Sequence, residues 1–115
     1  MAKVYEILKF PEHRARAVTV SDVGVSTVDG RKIMPAGTII GGADALLRED
    51  ESQMVVNKNT SELADGAEGV LLYDVDVTNG PQEGAMLFEG DIDLNKLQEE
   101  PVAEVELKSV RFWAS

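Results

Sequence analysis

Val70-Leu71-Leu72-Tyr73-Asp74-Val75-Asp76-Val77 is the stretch that decides the fold class. Its second half alternates, with Tyr73, Val75 and Val77 on one face and Asp74 and Asp76 on the other, the period of a strand buried on one side and wet on the other. Thr78-Asn79-Gly80-Pro81 supplies a turn cluster, and a second apolar run from Ala85 to Asp93 follows it. The two runs are expected to pair antiparallel. Gly90, inside the second run, marks a bulge or a close backbone approach.

Towards the N-terminus the β pattern continues. Ala17 to Pro35 is β-branched (Val18-Thr19-Val20, Val25, Thr27-Val28) around Asp29-Gly30, a strong hairpin signal, with Lys32-Ile33-Met34 ending at Pro35. Thr38-Ile39-Ile40 reads as a short strand stopped by Gly41-Gly42. Residues 43 to 69 read as a long surface excursion with one strand, Met54-Val55-Val56, inside it, and with at most a helical turn at Ser61 to Asp65. Past the deciding hairpin, Leu94 to Glu100 is a candidate helical turn capped by Asp93, Pro101 to Glu106 a second short helix, and Val110 to Trp113 a last strand. Six to eight short strands between turn clusters predict a mainly β protein: a small antiparallel barrel or sandwich with one or two short helices near the C-terminus.

With 115 residues the chain suits a single domain with one modest core. It has no cysteine, which excludes disulfides, thiolate metal sites and a cysteine nucleophile. Eleven Lys and Arg stand against 21 Asp and Glu, a net charge of −10, which argues against nucleic acid as a partner. No apolar run approaches the ~20 residues of a membrane span, and the first ten residues do not have the form of a secretory signal, so a soluble protein made in a cytoplasm is expected.

The charge is uneven. Residues 1 to 16 carry Lys3, Lys9, Arg14 and Arg16 against Glu6 and Glu12, a net +2, and their apolar residues Val4, Tyr5, Ile7, Leu8 and Phe10 follow no clean period. This segment is expected to be an arm (residues 1 to 16) ahead of a β domain (residues 17 to 115), adding as a strand to a partner's sheet edge. Its candidate contact residues are Lys3, Tyr5, Ile7, Lys9, Phe10, Arg14 and Arg16. The alternative is that Val4 to Phe10 is the first strand of the domain.

Few residues point to chemistry. His13, the only histidine, sits in the expected arm without a rigid support, and no Gly-x-Ser-x-Gly turn or phosphate-binding loop is present. Asp74, Asp76, Asp91 and Asp93 read as solvated outward positions. The alternative is a Ca²⁺ site, if their strands are neighbours. A carbohydrate cleft would need more aromatic rings than one Trp, two Tyr and three Phe readily supply. Trp113 and Phe112 are expected in the core or at a subunit interface. No catalytic residue, metal or cofactor is predicted.

The order of segments carries a resemblance. Ile33-Met34-Pro35-Ala36-Gly37-Thr38-Ile39-Ile40-Gly41-Gly42, then Ala67 to Val77, then Gly84 to Leu97 with its Phe88-Glu89-Gly90-Asp91-Ile92-Asp93 core, is similar to the head decoration and head fibre proteins of tailed phages, over roughly residues 30 to 115. The resemblance implies a β-rich structural virion protein on the outer surface of an assembled capsid, bound to the major capsid protein and commonly trimeric. It carries over no enzymatic residue.

Overall fold

The computed structural model describes residues 6 to 114. The protein is mainly β: nine strands, and no helix among the described residues longer than a single 3-10 turn. The strands are β1 (Leu8–Val20), β2 (Thr27–Val28), β3 (Arg31–Met34), β4 (Ile39–Gly42), β5 (Val55–Asn57), β6 (Gly69–Leu71), β7 (Val75–Asp76), β8 (Gln82–Asp93) and β9 (Val110–Trp113). Five of them close on themselves. The hydrogen-bonded order runs β1-β5-β4-β6-β8, and β8 pairs back onto β1, making a small barrel whose β8 edge is extended by β9. Most pairings are antiparallel, but β1 with β5 and β8 with β9 are parallel. A second sheet, β2-β3-β7, stands beside the barrel.

The hairpin signals act locally. Asp29 and Gly30 both take positive φ, 53° and 77°, the two-residue turn that matches the twist of β2 and β3. The hairpin is shorter than expected, because Ala17 to Val20 form the end of β1. The deciding stretch also divides. Val70 and Leu71 pair with Leu87 and Met86 of β8, as anticipated, whereas Val75 and Asp76 leave for β3. The chain bends at Leu72-Tyr73-Asp74, where Asp74 Oδ1 accepts the Ala36 N–H at 2.8 Å. Alternation survives the bend: Val75 and Val77 are buried, Asp74 and Asp76 exposed.

The arm expectation is corrected for the residues described. The boundary at residues 16 and 17 falls inside β1, whose His13 to Val20 pair with Gly90 to Gln82 with one break after Arg14 and whose Leu8 meets Ile92. Residues 8 to 16 belong to the barrel because β8 offers Leu8 and His13 to Arg16 ladder partners. Met1 to Tyr5, with Lys3 and Tyr5 among them, lie outside the described residues. The helix expected over Pro101 to Glu106 is absent. Its place is taken by a turn, with the Val105 N–H donating to the Val102 carbonyl, while the Leu94–Lys96 turn forms and is capped by Asp93 as read.

Two core clusters form instead of one. All five barrel strands feed the first, through Val18, Val20, Val55, Ile40, Leu71 and Met86, and the second sheet adds Met34, Val75 and Val77. The second cluster lies on the opposite side of the same strands: Ile39, Val70, Leu87, Ile92 and Val110, covered by Leu97, Val105 and Leu107 of the segment before β9. Neighbours in sequence therefore part company, Ile39 from Ile40, Val70 from Leu71, Met86 from Leu87. Strands buried on both faces lose alternation and read as continuous apolar runs.

Side chains tie the long segments to the barrel. Glu68 Oε1 accepts the N–H groups of Gly42 (3.1 Å) and Leu47 (2.7 Å), and Gln53 accepts the N–H groups of Asp44 and Ala45 through Oε1 and donates from Nε2 to the Ala45 carbonyl, so the excursion after β4 is held at two points. Gly41 permits the close approach this needs, since a Cβ there would strike the Gly66 carbonyl oxygen. Asn59 does the same for the C-terminal cover: its Nδ2 donates to the Glu100 carbonyl (3.0 Å) and its Oδ1 accepts the Val102 N–H (2.8 Å).

Replacing Asn59 by Ala should cost about 1–3 kcal/mol in chemical denaturation, because the Val102 N–H keeps no partner. Hydrogen exchange should quicken at Val102 and Val105 and stay slow at Val70. Leu87→Ala, at a fully buried side chain, should cost more, about 2–5 kcal/mol.

Candidate functional site

Two irregularities in the β1–β8 ladder set the most distinctive surface. Between Leu8↔Ile92 and His13↔Gly90, β1 carries extra residues, and Pro11, which has no N–H to donate, sits among them. Between Arg14↔Glu89 and Ala15↔Leu87 the extra residue is Phe88 on β8. Bulges re-aim side chains. The first releases Phe10 outward, 42% exposed, and the second places Phe88 under Arg14, whose guanidinium carbon lies 5.5 Å from the ring centre.

Phe10 meets Trp113 of β9 across β8. The rings are edge to face, their centres 5.4 Å apart, and Trp113 is 40% exposed. Asp91, between them on β8 and only 8% exposed, accepts from the Trp113 indole N–H (3.0 Å) and from Arg111 Nε (2.9 Å) through the same oxygen. The indole is fixed by this bond rather than by burial. The Trp113 N–H and then Arg111 hold the Asp91 carboxyl below its ordinary range, against the opposing effect of burial.

A groove of about 860 Å³ opens elsewhere on the surface, against the β2–β3 hairpin. Val23, Val28, Ile33 and Leu63 line it and are themselves exposed, Val23 by 73% and Val28 by 67%. Among the described residues no aromatic ring lines it, and the ionisable ones that do are Asp44 and Glu99. It shares no residue with the Phe10–Trp113 cluster. The sequence reading missed this groove, since single valines in turn-rich segments give no periodic signal.

The residues singled out from sequence are dispersed. Ile7 is buried in the second core cluster, so it is a packing residue and not a contact residue. Lys9 and Arg14 lie along β1, and Arg16 Nη1 pairs with Glu51 at 2.9 Å. Phe112 is half-buried against the second cluster, which leaves Trp113 as the exposed member of that pair. His13 contacts the Pro11 carbonyl oxygen through Nδ1. The four aspartates do not converge, because β7 pairs with β3 and not with β8. Asp74 holds Ala36, Asp76 holds Arg31 and Thr78, Asp91 holds Trp113 and Arg111, and Asp93 caps Asn95. No group of three or more His, Cys, Asp or Glu placed to hold a metal ion occurs among the described residues. The neighbouring strands on which the Ca²⁺ alternative depended are not formed.

Comparison with family models, with curated proteins and with solved structures gives no match.

Asp76 is held down to about 2 by the Thr78 hydroxyl first and Arg31 second. A depressed carboxyl contributes stability above its unfolded value of 3.8, and that contribution is lost as pH falls towards 2. Carboxyl NMR should show Asp76 titrating near 2 and moving up in Thr78→Ala. Trp113→Phe should likewise raise the Asp91 midpoint, while Arg111→Ala raises it less. An Asp91 midpoint indifferent to the indole N–H would contradict the assigned bond.

Proposed function

We propose that this chain is a non-catalytic structural module that binds the outer surface of an assembled tailed-phage capsid, meets the major capsid protein there, and acts as a homotrimer. The observation that carries this reading is the charge of β1. Within Leu8–Val20, Lys9, Arg14 and Arg16 stand against Glu12 alone, a net +2, on a chain whose total is −10. A basic strand on an acidic body gives the molecule a polarity, and complementary charge orients encounter with a partner surface. The resemblance of residues 30 to 115 to phage head proteins supplies the partner.

Other features agree with an assembly role. The aspartates that looked available for chemistry are engaged in holding turns and side chains in place. The exposed groups include Trp113, Phe10 and Arg111, residue types that concentrate binding energy in protein interfaces. In this reading Lys9 and Arg14, with Arg16, face the capsid, and Trp113 faces a neighbouring copy. A 115-residue chain with modest cores gains stability when such surface is covered.

The test is co-sedimentation with assembled capsids of the encoding phage. Wild-type protein should pellet with capsids and release as salt rises. The triple reversal Lys9→Glu, Arg14→Glu and Arg16→Glu, checked for an unchanged far-UV spectrum, should bind at least tenfold more weakly. Equal binding by the folded triple variant would overturn the assignment of β1, and wild-type protein that never pellets would overturn the function.

A further inference from the structure

Among the described residues, six of the seven large apolar side chains that are exposed gather at two places: Phe10 and Trp113 at the β1–β8–β9 surface, and Val23, Val28, Ile33 and Leu63 at the groove. The two places are opposites. One is a partly exposed ring pair beside Arg111, whose side chain is 77% exposed. The other is a groove that, among the described residues, has no ring in its lining and carries only Asp44 and Glu99 as ionisable groups. Its volume, about 860 Å³, falls in the range of cavities that enclose sizeable ligands.

We propose that these surfaces fit each other between copies: the Phe10–Trp113 ring pair of one chain enters the groove of the next, and Arg111 meets Asp44 and Glu99 at its rim. The inference rests on the self-association read above and deepens it, by naming the occupant of the groove and the type of contact. In this proposal the contact is heterologous, each copy using its rings towards one neighbour and its groove towards the other, and head-to-tail contacts close into a ring when the rotation allows. Three copies make that ring. Burial of the rings supplies the attraction, and the charged rim sets orientation. The Trp113 bond to Asp91 preorganises the inserted ring, so little side-chain freedom is lost on docking.

A contact between two different patches has a signature that a single patch meeting itself lacks, and a trimer rather than a dimer separates the head-to-tail ring from a reciprocal pair. Trp113→Asp disables the ring surface and leaves the groove, while Val28→Asp with Leu63→Asp disables the groove and leaves the rings. Sedimentation velocity, without capsids, should show trimer for wild type and monomer for each variant alone. An equimolar mixture of the two should give a 1:1 heterodimer, because one intact ring surface meets one intact groove. Trimer persisting in either variant, or a mixture of folded variants that stays monomeric, overturns the proposal, as does wild type that is monomeric at high concentration.

Charge exchange gives a second route, scored only for variants with an unchanged far-UV spectrum and Trp113 fluorescence, because Arg111 also pairs with Asp91. Arg111→Glu alone, and Asp44→Lys with Glu99→Lys alone, should each weaken the trimer at least tenfold, and all three in one chain should restore it. Failure to restore it overturns the assigned rim. Capsid binding through Lys9, Arg14 and Arg16 is scored separately, so loss of the ring contact and loss of the capsid reading are told apart.

Discussion

The ladder between β1 and β8 is the interaction on which the rest of the molecule depends. β8 is twelve residues long and has two usable edges: one takes β1 along its length, the other takes β6 and then β9. That double use closes the barrel. Without β1 on its edge, β8 would end an open sheet, and both β1 and β8 would offer long unpaired edges to other chains. Closure also gives the barrel its interior, since Val18 and Val20 reach the first cluster only from β1.

The same ladder explains where the distinctive surface lies. A regular pairing would fix the face of every side chain by strict alternation and leave no freedom to depart from it. The breaks around Pro11 and Phe88 create that freedom, and both fall where aromatic residues need to leave the sheet plane. Phe10 then reaches Trp113, from the opposite end of the chain, over a strand whose Asp91 holds the indole. Fold and surface thus have a common origin.

Legibility in the sequence followed the range of the interactions. Asp29-Gly30, the Asp93 cap and the last strand are decided by a few neighbouring residues, and each appears as read, whereas the stop expected at Gly41-Gly42 does not occur, because β5 offers both glycines ladder partners and β4 runs through them. The mainly β class was legible for the same reason. What needed distant partners was not. Whether Leu8 to Arg16 is an arm or a strand depends on a ladder partner some 75 residues away, and nothing local in Lys9-Phe10-Pro11-Glu12 announces it. The split of Val70 to Val77 between two sheets was hidden because alternation continues through the bend at Asp74. Of the surface, Phe10 and Trp113 were each visible as apolar residues without an obvious core role, but their meeting was not, and the groove is assembled from segments that share no pattern.

Charge joins the fold to the proposed role. The barrel gives β1 a fixed place, so three cations in one strand become a directed feature of an otherwise acidic body. The most direct measurement of that proposed role is an image reconstruction of assembled tailed-phage capsids incubated with the purified chain. The account predicts added density on the outer surface in three-fold sets, each copy with β1 turned towards the major capsid protein. Capsids that stay bare at saturating protein, or bound copies with β1 turned to solvent, would contradict it.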